Sequence, residues 1–509
     1  MKKGFVSLVG AGPGDPELLT LKALRRIREA DLIVYDYLVN PEHLSHAKKD
    51  SSVICVGKGF RHKLMSQKKI NRLIIREAKR GKNVVRLKGG DPYLFGRGAE
   101  EALFLRRHGI PFDVVPGITS ALACANYAGI PLTHREHNSS VTFLTGHRAH
   151  DEALDSIDWQ RIAAMPGTLV VYMGFYNLPT IARRLIANGM PAETPAAVIE
   201  WGTLPRQKTC TSTLENIAPL VKRMKLEPPC LIVIGEVVKL HSKLDWYEKL
   251  PLFGKKILVT RTRDKAGRLS AKLNALGAET IELPTIEIGV APNLGPLDAS
   301  IRTLFRFEWL VFTSSYALDA FFDRLRRLGK DARWLKDIRI ACVGPDTAVA
   351  LRARGLEPDA LPQDSESSAI PDAIRAKAGS LKNLSILLVR TNIAPAILET
   401  RLRKAGARPH RVTGYVTKRA RPDSSFLRRL AQNPPDYLTF TSSSTVLNLT
   451  AILGKKRMLG LVARSSAISI GPQTSATLRS LGFRVKAQAS EHSLDGLVSA
   501  ILKSAGKKR

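Results

Sequence analysis

Three glycine-bearing loops carry the clearest capacity for chemistry: "GAGPGDP" at 10–16, "KGGDP" at 88–92 and "PGITSA" at 116–121. Each follows a short β-rich run. Glycine lets backbone approach a ligand closely, and its amides bind carboxylate or hydroxyl oxygens. One such loop is an ordinary turn, but three at strand ends between residues 10 and 121 point to one shared ligand site. The first loop has the outline of a dinucleotide grip, because Asp36 closes the next apolar run, "ADLIVYD", where a ribose-binding acid would stand. Its details oppose that reading. A pyrophosphate grip needs a helix that begins inside the glycine motif and offers free amides. Pro13 and Pro16 remove donors there, and Asp15 occupies the third glycine position. The helix is predicted to start later, near Pro16 or at Thr20, so the loop forms a wall for some other ligand.

The second half contains an internal repeat. "ILVTRT" at 257 returns as "ILLVRT" at 386, "LVFTSSYALDAF" around Thr313 as "LTFTSSSTVLNL" around Thr441, and "ACVGPDTAVALRARG" around Gly344 as "ISIGPQTSATLRSLG" around Gly471. The offsets are 127 to 129 residues and the order is kept. A two-lobed α/β arrangement follows, with matching turns facing each other across a cleft. These turns offer hydroxyls and amides from Thr313, Ser314, Gly344, Thr347, Thr441, Ser442, Gly471 and Thr474, not strong acids, bases or metal ligands. Arg261 and Arg390 end equivalent strands and suit carboxylates. Tyr415 aligns with Ile286, so a phenol stands in one lobe only. The pattern describes a site that holds a polyanion and leaves much of the chemistry to the substrate.

The elements that position these groups are legible in outline. Residues 1–240 alternate β-rich runs with helical patterns, which predicts α/β layers with mainly parallel sheets. "SQKKINRLIIREAKRG" reads as a helix capped by Ser66 and stopped by Gly81, with Ile70, Leu73, Ile74 and Glu77 at helical spacing. Residues 241–255 read as a polar linker punctuated by proline and glycine, and a new strand begins after it. The predicted domains are 1–240, with lobes of about 1–115 and 116–240, and 256–509. At 509 residues, 44% hydrophobic and 24% charged, the chain is of the globular class. No apolar run reaches membrane-spanning length and the start is too short and glycine-rich for a signal peptide, so the expected location is cytoplasmic. Five scattered cysteines without C-x-x-C exclude a disulfide framework or a zinc ribbon, and no metal site is expected. The net charge of +34, spread over both halves, favours anionic partners.

Taken together, "VGAGPGDPELLTLKA", "VYDYLV", "VGKGFRH", "RLKGGDPYLFGRGAEE", "VPGITSALACANYAGIPLTHR", "YMGF" and "EWGT" resemble uroporphyrinogen-III C-methyltransferase, of the tetrapyrrole methylase superfamily. The resemblance runs from residue 4 to about 240. It implies two α/β lobes with S-adenosyl-L-methionine between them in a non-Rossmann site. On the matching positions, it implies that Pro13, Gly89, Gly90, Asp91, Leu94, Thr119, Ser120, Met173 and Gly202 line the cofactor. It also implies that Asp36 is the proton acceptor and Lys58 the proton donor. The family's usual arginine after that lysine is Gly59 here, with Arg61 two residues on.

Residues 256 to about 505 resemble uroporphyrinogen-III synthase, with looser motifs. That resemblance implies cofactor-free closure of hydroxymethylbilane with inversion of the last ring. Tyr415 would assist loss of the hydroxyl, and the lobes would exchange chain segments. One half's product is the other's substrate, so the two resemblances together imply a bifunctional enzyme that makes precorrin-2, toward sirohaem or cobalamin. Its substrates carry eight carboxylates, which accounts for the basic charge without nucleic acid or membrane, and a homodimer through the methylase half is implied. Two alternatives stand beside this: an RNA-directed methylase of the same superfamily, and a methyltransferase whose C-terminal half only binds tetrapyrrole. "KGGDP" and the "THR" stretch favour the tetrapyrrole branch, and no aromatic-basic RNA platform is evident.

Overall fold

Strands whose two faces are both covered read as continuous apolar runs, and the first half is built on such strands. The computed structural model describes residues 4–57, 65–146, 154–260, 263–362 and 367–506. Lys58, Gly59, Arg61 and Arg261 lie outside the described residues. Two compact units are formed: Met1–Ile257 with Ala271–Thr280 and Ile501–Arg509, and Leu258–Ser270 with Ile281–Ala500.

The first sheet has the order Ser52–Cys55, Leu32–Tyr35, Val84–Lys88, Val6–Gly10, Phe112–Val115, all parallel. The three glycine loops therefore leave the carboxyl ends of three adjacent strands. That edge is where open α/β sheets bind ligands. Beyond the first loop a single 3-10 turn, Pro16–Leu18, precedes the helix Leu21–Glu29, whose N-cap Thr20 accepts from Ala23 N at 3.2 Å. The helix after Ser66 spans Gln67–Lys79, with Ile70, Ile74 and Glu77 buried.

The second sheet runs Val141–Thr145, Thr168–Tyr172, Cys230–Ile234, Pro195–Glu200, Lys208–Thr213. Only its first pairing is parallel; the other three are antiparallel, against the expectation of mainly parallel sheets. The short turn from Glu200 to Lys208 accounts for the last of these, since only antiparallel neighbours can be joined without a crossover, and Cys230–Ile234 runs against both of its neighbours. Among the described residues, no helix is long and apolar enough to cross a membrane.

The stretch read as a linker is packed, not extended. Trp246 and Tyr247 pack edge-on against Tyr127 at ring-centroid distances of 5.1 and 4.7 Å, and Leu252 is fully buried. Trp246 Nε1 donates to Asn126 O at 3.1 Å, and Glu248 accepts from Thr209 Oγ1 at 2.6 Å. Aromatic residues outweigh the polar ones that suggested a free connector.

The second half forms two further five-stranded sheets. One is ordered Glu279–Glu282, Lys256–Val259, Tyr437–Phe440, Ser466–Ser469, Val485–Gln488; the other Ile286–Val290, Arg408–Arg419, Ser385–Thr391, Trp309–Phe312, Arg339–Cys342. The repeats interlock. Lys256–Val259, which opens the first repeat, lies beside Tyr437–Phe440 of the second, and Ser385–Thr391, which opens the second, pairs with Trp309–Phe312 of the first. Thr260 Oγ1 donates to Thr439 O at 2.7 Å, and Thr439 Oγ1 to Leu258 O at 2.9 Å.

Candidate active sites

The glycine loops of the first half meet backbone to backbone. A Cβ on Gly117 would lie 2.2 Å from Gly90 O and 2.7 Å from Gly10 Cα, so side chains are excluded there. Gly12 and Gly90 exchange hydrogen bonds, with Gly90 N donating to Gly12 O at 2.7 Å and Gly12 N to Gly90 O at 3.3 Å. Asp91 ties the second loop to the third: its Oδ2 accepts from Gly117 N at 3.1 Å, and its Oδ1 from Tyr93 N and Leu94 N. Pro13 lies on the first loop. The next residues join it to the second sheet, for Asp15 N donates to Thr203 Oγ1 at 3.0 Å, and a Cβ on Gly14 would lie 3.3 Å from Gly202 O.

Thr119 and Ser120 start the helix Ser120–Tyr127, and Thr119 Oγ1 is 2.6 Å from the buried Tyr172 hydroxyl. Met173 follows Tyr172, is half exposed, and holds φ +53°. Phe95, Arg97, Trp201 and Thr203 are also left-handed, at φ +54°, +60°, +47° and +70°. Such conformations cost about 1–3 kcal/mol each and persist where the surroundings impose them, typically at ligand sites.

Asp36 belongs to a buried charge cluster that sequence reasoning missed. Arg86 Nη2 donates to Asp36 Oδ1 at 2.6 Å and Arg86 Nε to Glu101 Oε1 at 3.1 Å. Lys88 Nζ lies 3.3 Å from Glu101 and 3.8 Å from Asp36. Arg86, Lys88 and Glu101 are almost wholly buried, while the Asp36 side chain is 30% exposed. Two cations and two anions balance, as burial of charge requires. Burial lowers the Lys88 ammonium from its ordinary pKa and the Arg86 charge lowers it further, against Glu101 and Asp36. Burial also pulls on the Arg86 guanidinium, but the two carboxylates outweigh it and its pKa is raised. Asp36 is thus held by a fixed guanidinium, with one edge open to solvent. Gly57, which immediately precedes Lys58, packs its backbone against Asp36 and Tyr37.

His43, on the turn Pro41–His46, is 1% exposed beside the backbone of Ala11, and neither ring nitrogen has a partner of ordinary hydrogen-bond geometry. Burial is the main reason its pKa falls to about 4, against 6.5 for a free histidine. The neutral ring is therefore the folded form. As pH drops, the unfolded chain takes up this proton first, so stability is full above pH 6.5 and declines until about pH 4. The expected loss is about 3 kcal/mol. Urea unfolding of wild type and His43→Gln at pH 7 and pH 4.5 checks this; parallel losses in the two proteins would exclude it.

In the second half, Tyr415 and Ser314 come together, with hydroxyls 3.0 Å apart. A bulge at Gly414, against Thr391, re-aims the strand so that Tyr415 points at the turn carrying Ser314. Ser314 Oγ also caps the helix Ser315–Arg327 by accepting from Ala317 N at 3.2 Å. Either hydroxyl of the Ser314–Tyr415 pair can be the donor. Burial raises the Tyr415 pKa, opposed by Ser314 and the charge of Arg390, so the phenol is protonated at neutral pH.

Thr313 precedes Ser314, and Gly344 opens the helix Pro345–Arg352 with φ +78°. The matching Thr441, Ser442, Gly471 and Thr474 lie on the other sheet of this half, where Ser442 caps Ser443–Leu453 as Ser314 caps its helix. Thr347 and Thr474 are buried. Arg390, expected to meet a ligand carboxylate, is itself buried, with Nη1 donating to Glu399 Oε2 and Pro395 O, both at 2.8 Å.

The family model of tetrapyrrole (corrin/porphyrin) methylases matches residues 6–218, and that of uroporphyrinogen-III synthase HemD matches residues 267–499. A porphyrin biosynthesis protein HemD from Ruminiclostridium josui is 35% identical over 507 residues, 99% of each chain. A uroporphyrinogen-III C-methyltransferase from Bacillus subtilis is 40% identical over 366 residues, 72% of this chain and 75% of its own. A siroheme synthase from Nitrosospira multiformis is 51% identical over 246 residues, 48% of this chain and 52% of that one.

Proposed function

The chain belongs to the family that joins a tetrapyrrole methylase to a uroporphyrinogen-III synthase, and on that footing we propose that it converts hydroxymethylbilane to uroporphyrinogen III and methylates it twice to precorrin-2. Residues 1–240 are assigned the methylation, 256–509 the ring closure, and 241–255 the join. The observation that carries the reading is the presence, in one chain, of the three-loop glycine wall and the part-buried Tyr415–Ser314 pair.

The glycine wall fits S-adenosyl-L-methionine. At Gly90, φ +66°, a Cβ would stand in van der Waals contact, 3.9 Å, with Ser120 N and Thr119 Cα, so the glycine leaves these two backbone turns facing each other with no side chain between. Pro13, Gly89, Gly90, Asp91, Leu94, Thr119, Ser120, Met173 and Gly202 would hold it. When bound, it supplies an electrophilic methyl group. An alkylated pyrrole is cationic until it loses a proton, and Asp36 is the acceptor: Arg86 fixes Oδ1, and the exposed edge of the carboxylate meets the substrate. Lys58 is assigned the proton-donor role from the family resemblance.

In ring closure, Tyr415 donates its proton toward the departing hydroxyl while Ser314 orients the phenol. Acetate and propionate arms are taken by the turns carrying Thr313, Ser314, Gly344, Thr441, Ser442 and Gly471, and by Arg261. Thr347 and Thr474 support those turns from the buried side, and Arg390, committed to Glu399, holds a strand end. The functional form is a homodimer through the methylase half, as the family resemblance implies; light scattering should return the mass of two chains.

Purified protein given hydroxymethylbilane and S-adenosyl-L-methionine is expected to form a twice-methylated tetrapyrrole. Absence of methylated product above the spontaneous uroporphyrinogen I background would overturn the reading. The loop geometry has its own test. Gly117→Ala places a Cβ against Gly90 O and should weaken S-adenosylhomocysteine binding by at least roughly tenfold, at a stability cost of about 1–3 kcal/mol. Calorimetric titration decides it, and wild-type affinity would show that the loops do not form the ligand wall.

A further inference from the structure

A cavity of about 770 Å³ opens at the amino-terminal edge of the sheet that holds Tyr415, the edge opposite the reaction site. Ser385 and Arg408, the paired first residues of two parallel strands, line it, whereas Tyr415 pairs with Thr391 at the other end. Six residues of strand separate the two, which is about 20 Å. The lining includes Arg306, Arg403, Arg408 and His410, and no acidic side chain.

Some arginines of this half are paired, as Arg324 is with Asp298, Arg354 with Asp319 and Arg352 with Glu357. Arg306, Arg403 and Arg408 have no carboxylate within ion-pair distance among the described residues; Arg408 makes one neutral hydrogen bond, to Asn383 Oδ1. Three exposed guanidiniums around one hollow give it a positive potential that favours an anion. The volume exceeds that of a single inorganic anion and lies in the range of small-organic-ligand sites. Two aromatic rings also line it: those of Phe307 and His410 are 5.6 Å apart and tilted by 40°. A planar body bearing several carboxylates suits both features, because guanidinium pairs with carboxylate in a two-pronged geometry and also stacks on flat surfaces.

We infer that this cavity is a second binding site, separate from the reaction site, for a planar polycarboxylate. Calorimetric titration of the full chain with benzene hexacarboxylate, with orthophosphate as the single-anion probe, tests it. In wild type, benzene hexacarboxylate is expected to bind at least tenfold more tightly than phosphate. The double substitution Arg403→Gln, Arg408→Gln should weaken that binding at least tenfold with an unchanged melting temperature. Phe307→Ala, which keeps every charge, should weaken binding of benzene hexacarboxylate and leave that of phosphate unaltered. Equal affinity for the two anions in wild type, or unchanged benzene hexacarboxylate affinity in the double variant, would overturn the inference. Neither result bears on product formation from hydroxymethylbilane, so the two readings fail separately.

Discussion

Asp36→Asn is expected to slow methyl transfer to supplied uroporphyrinogen III by about 10²–10⁴-fold, the range for loss of a general base, while S-adenosylhomocysteine still binds. Asparagine keeps the size of the side chain and one oxygen to accept from Arg86 Nη2, now 2.6 Å from Asp36 Oδ1. It cannot take up the proton that the alkylated ring must release. The substitution also leaves Arg86 and Lys88 facing Glu101 alone, a net positive charge in a buried place. Some loss of stability follows, moderated by the partial exposure of residue 36. Comparing the rate of the first methylation with cofactor affinity separates the two effects. A normal rate would remove Asp36 from the chemistry, and equal losses of rate and affinity would make its role structural.

Tyr415→Phe should lower uroporphyrinogen III formation by about 10²-fold and leave methylation of supplied uroporphyrinogen III untouched. The ring stays in place, buried and 5.8 Å from that of Tyr316, so packing is conserved. Only the hydroxyl next to Ser314 is lost, at a stability cost of about 1 kcal/mol. Analysis of the products distinguishes enzymic from spontaneous closure, because the spontaneous reaction yields the uninverted isomer. Enzymic product at the wild-type rate would exclude the phenol as the proton source.

The meeting of the three glycine loops was legible because glycine marks the places where backbones touch, and each loop could be assigned to the end of a strand. Pro13 and Asp15 likewise announced a loop followed by a late helix, as Thr20 confirms. The charge cluster was hidden. Arg86 and Lys88 alternate within "VVRLK", a pattern that ordinarily places charged side chains in solvent; both are buried because Glu101, from the helix Gly98–Arg107, lies over them. The support of the first loop by Thr203 spans 188 residues and leaves no local trace. Arg390 looked free because its partner, Glu399, comes from the following helix, and no pattern in the strand foretells an ion pair across that turn. The repeat itself was plain, but similarity between two segments does not say which strand pairs with which.

That pairing bears on how the second half comes into being. Each of its sheets borrows its opening strand from the other repeat, so neither repeat can complete a sheet from its own residues. The bonds that seat the first of these strands join residues 179 and 181 positions apart. Closing a loop of that length is entropically costly, and folds dominated by such contacts form slowly. During synthesis, the strand at 256–259 can pair at once with 279–282, but its other edge must wait until residues 437–440 have emerged. A chain severed between the repeats would leave two fragments able to complete their sheets only by threading together, so the two lobes of this half are gained or lost as one.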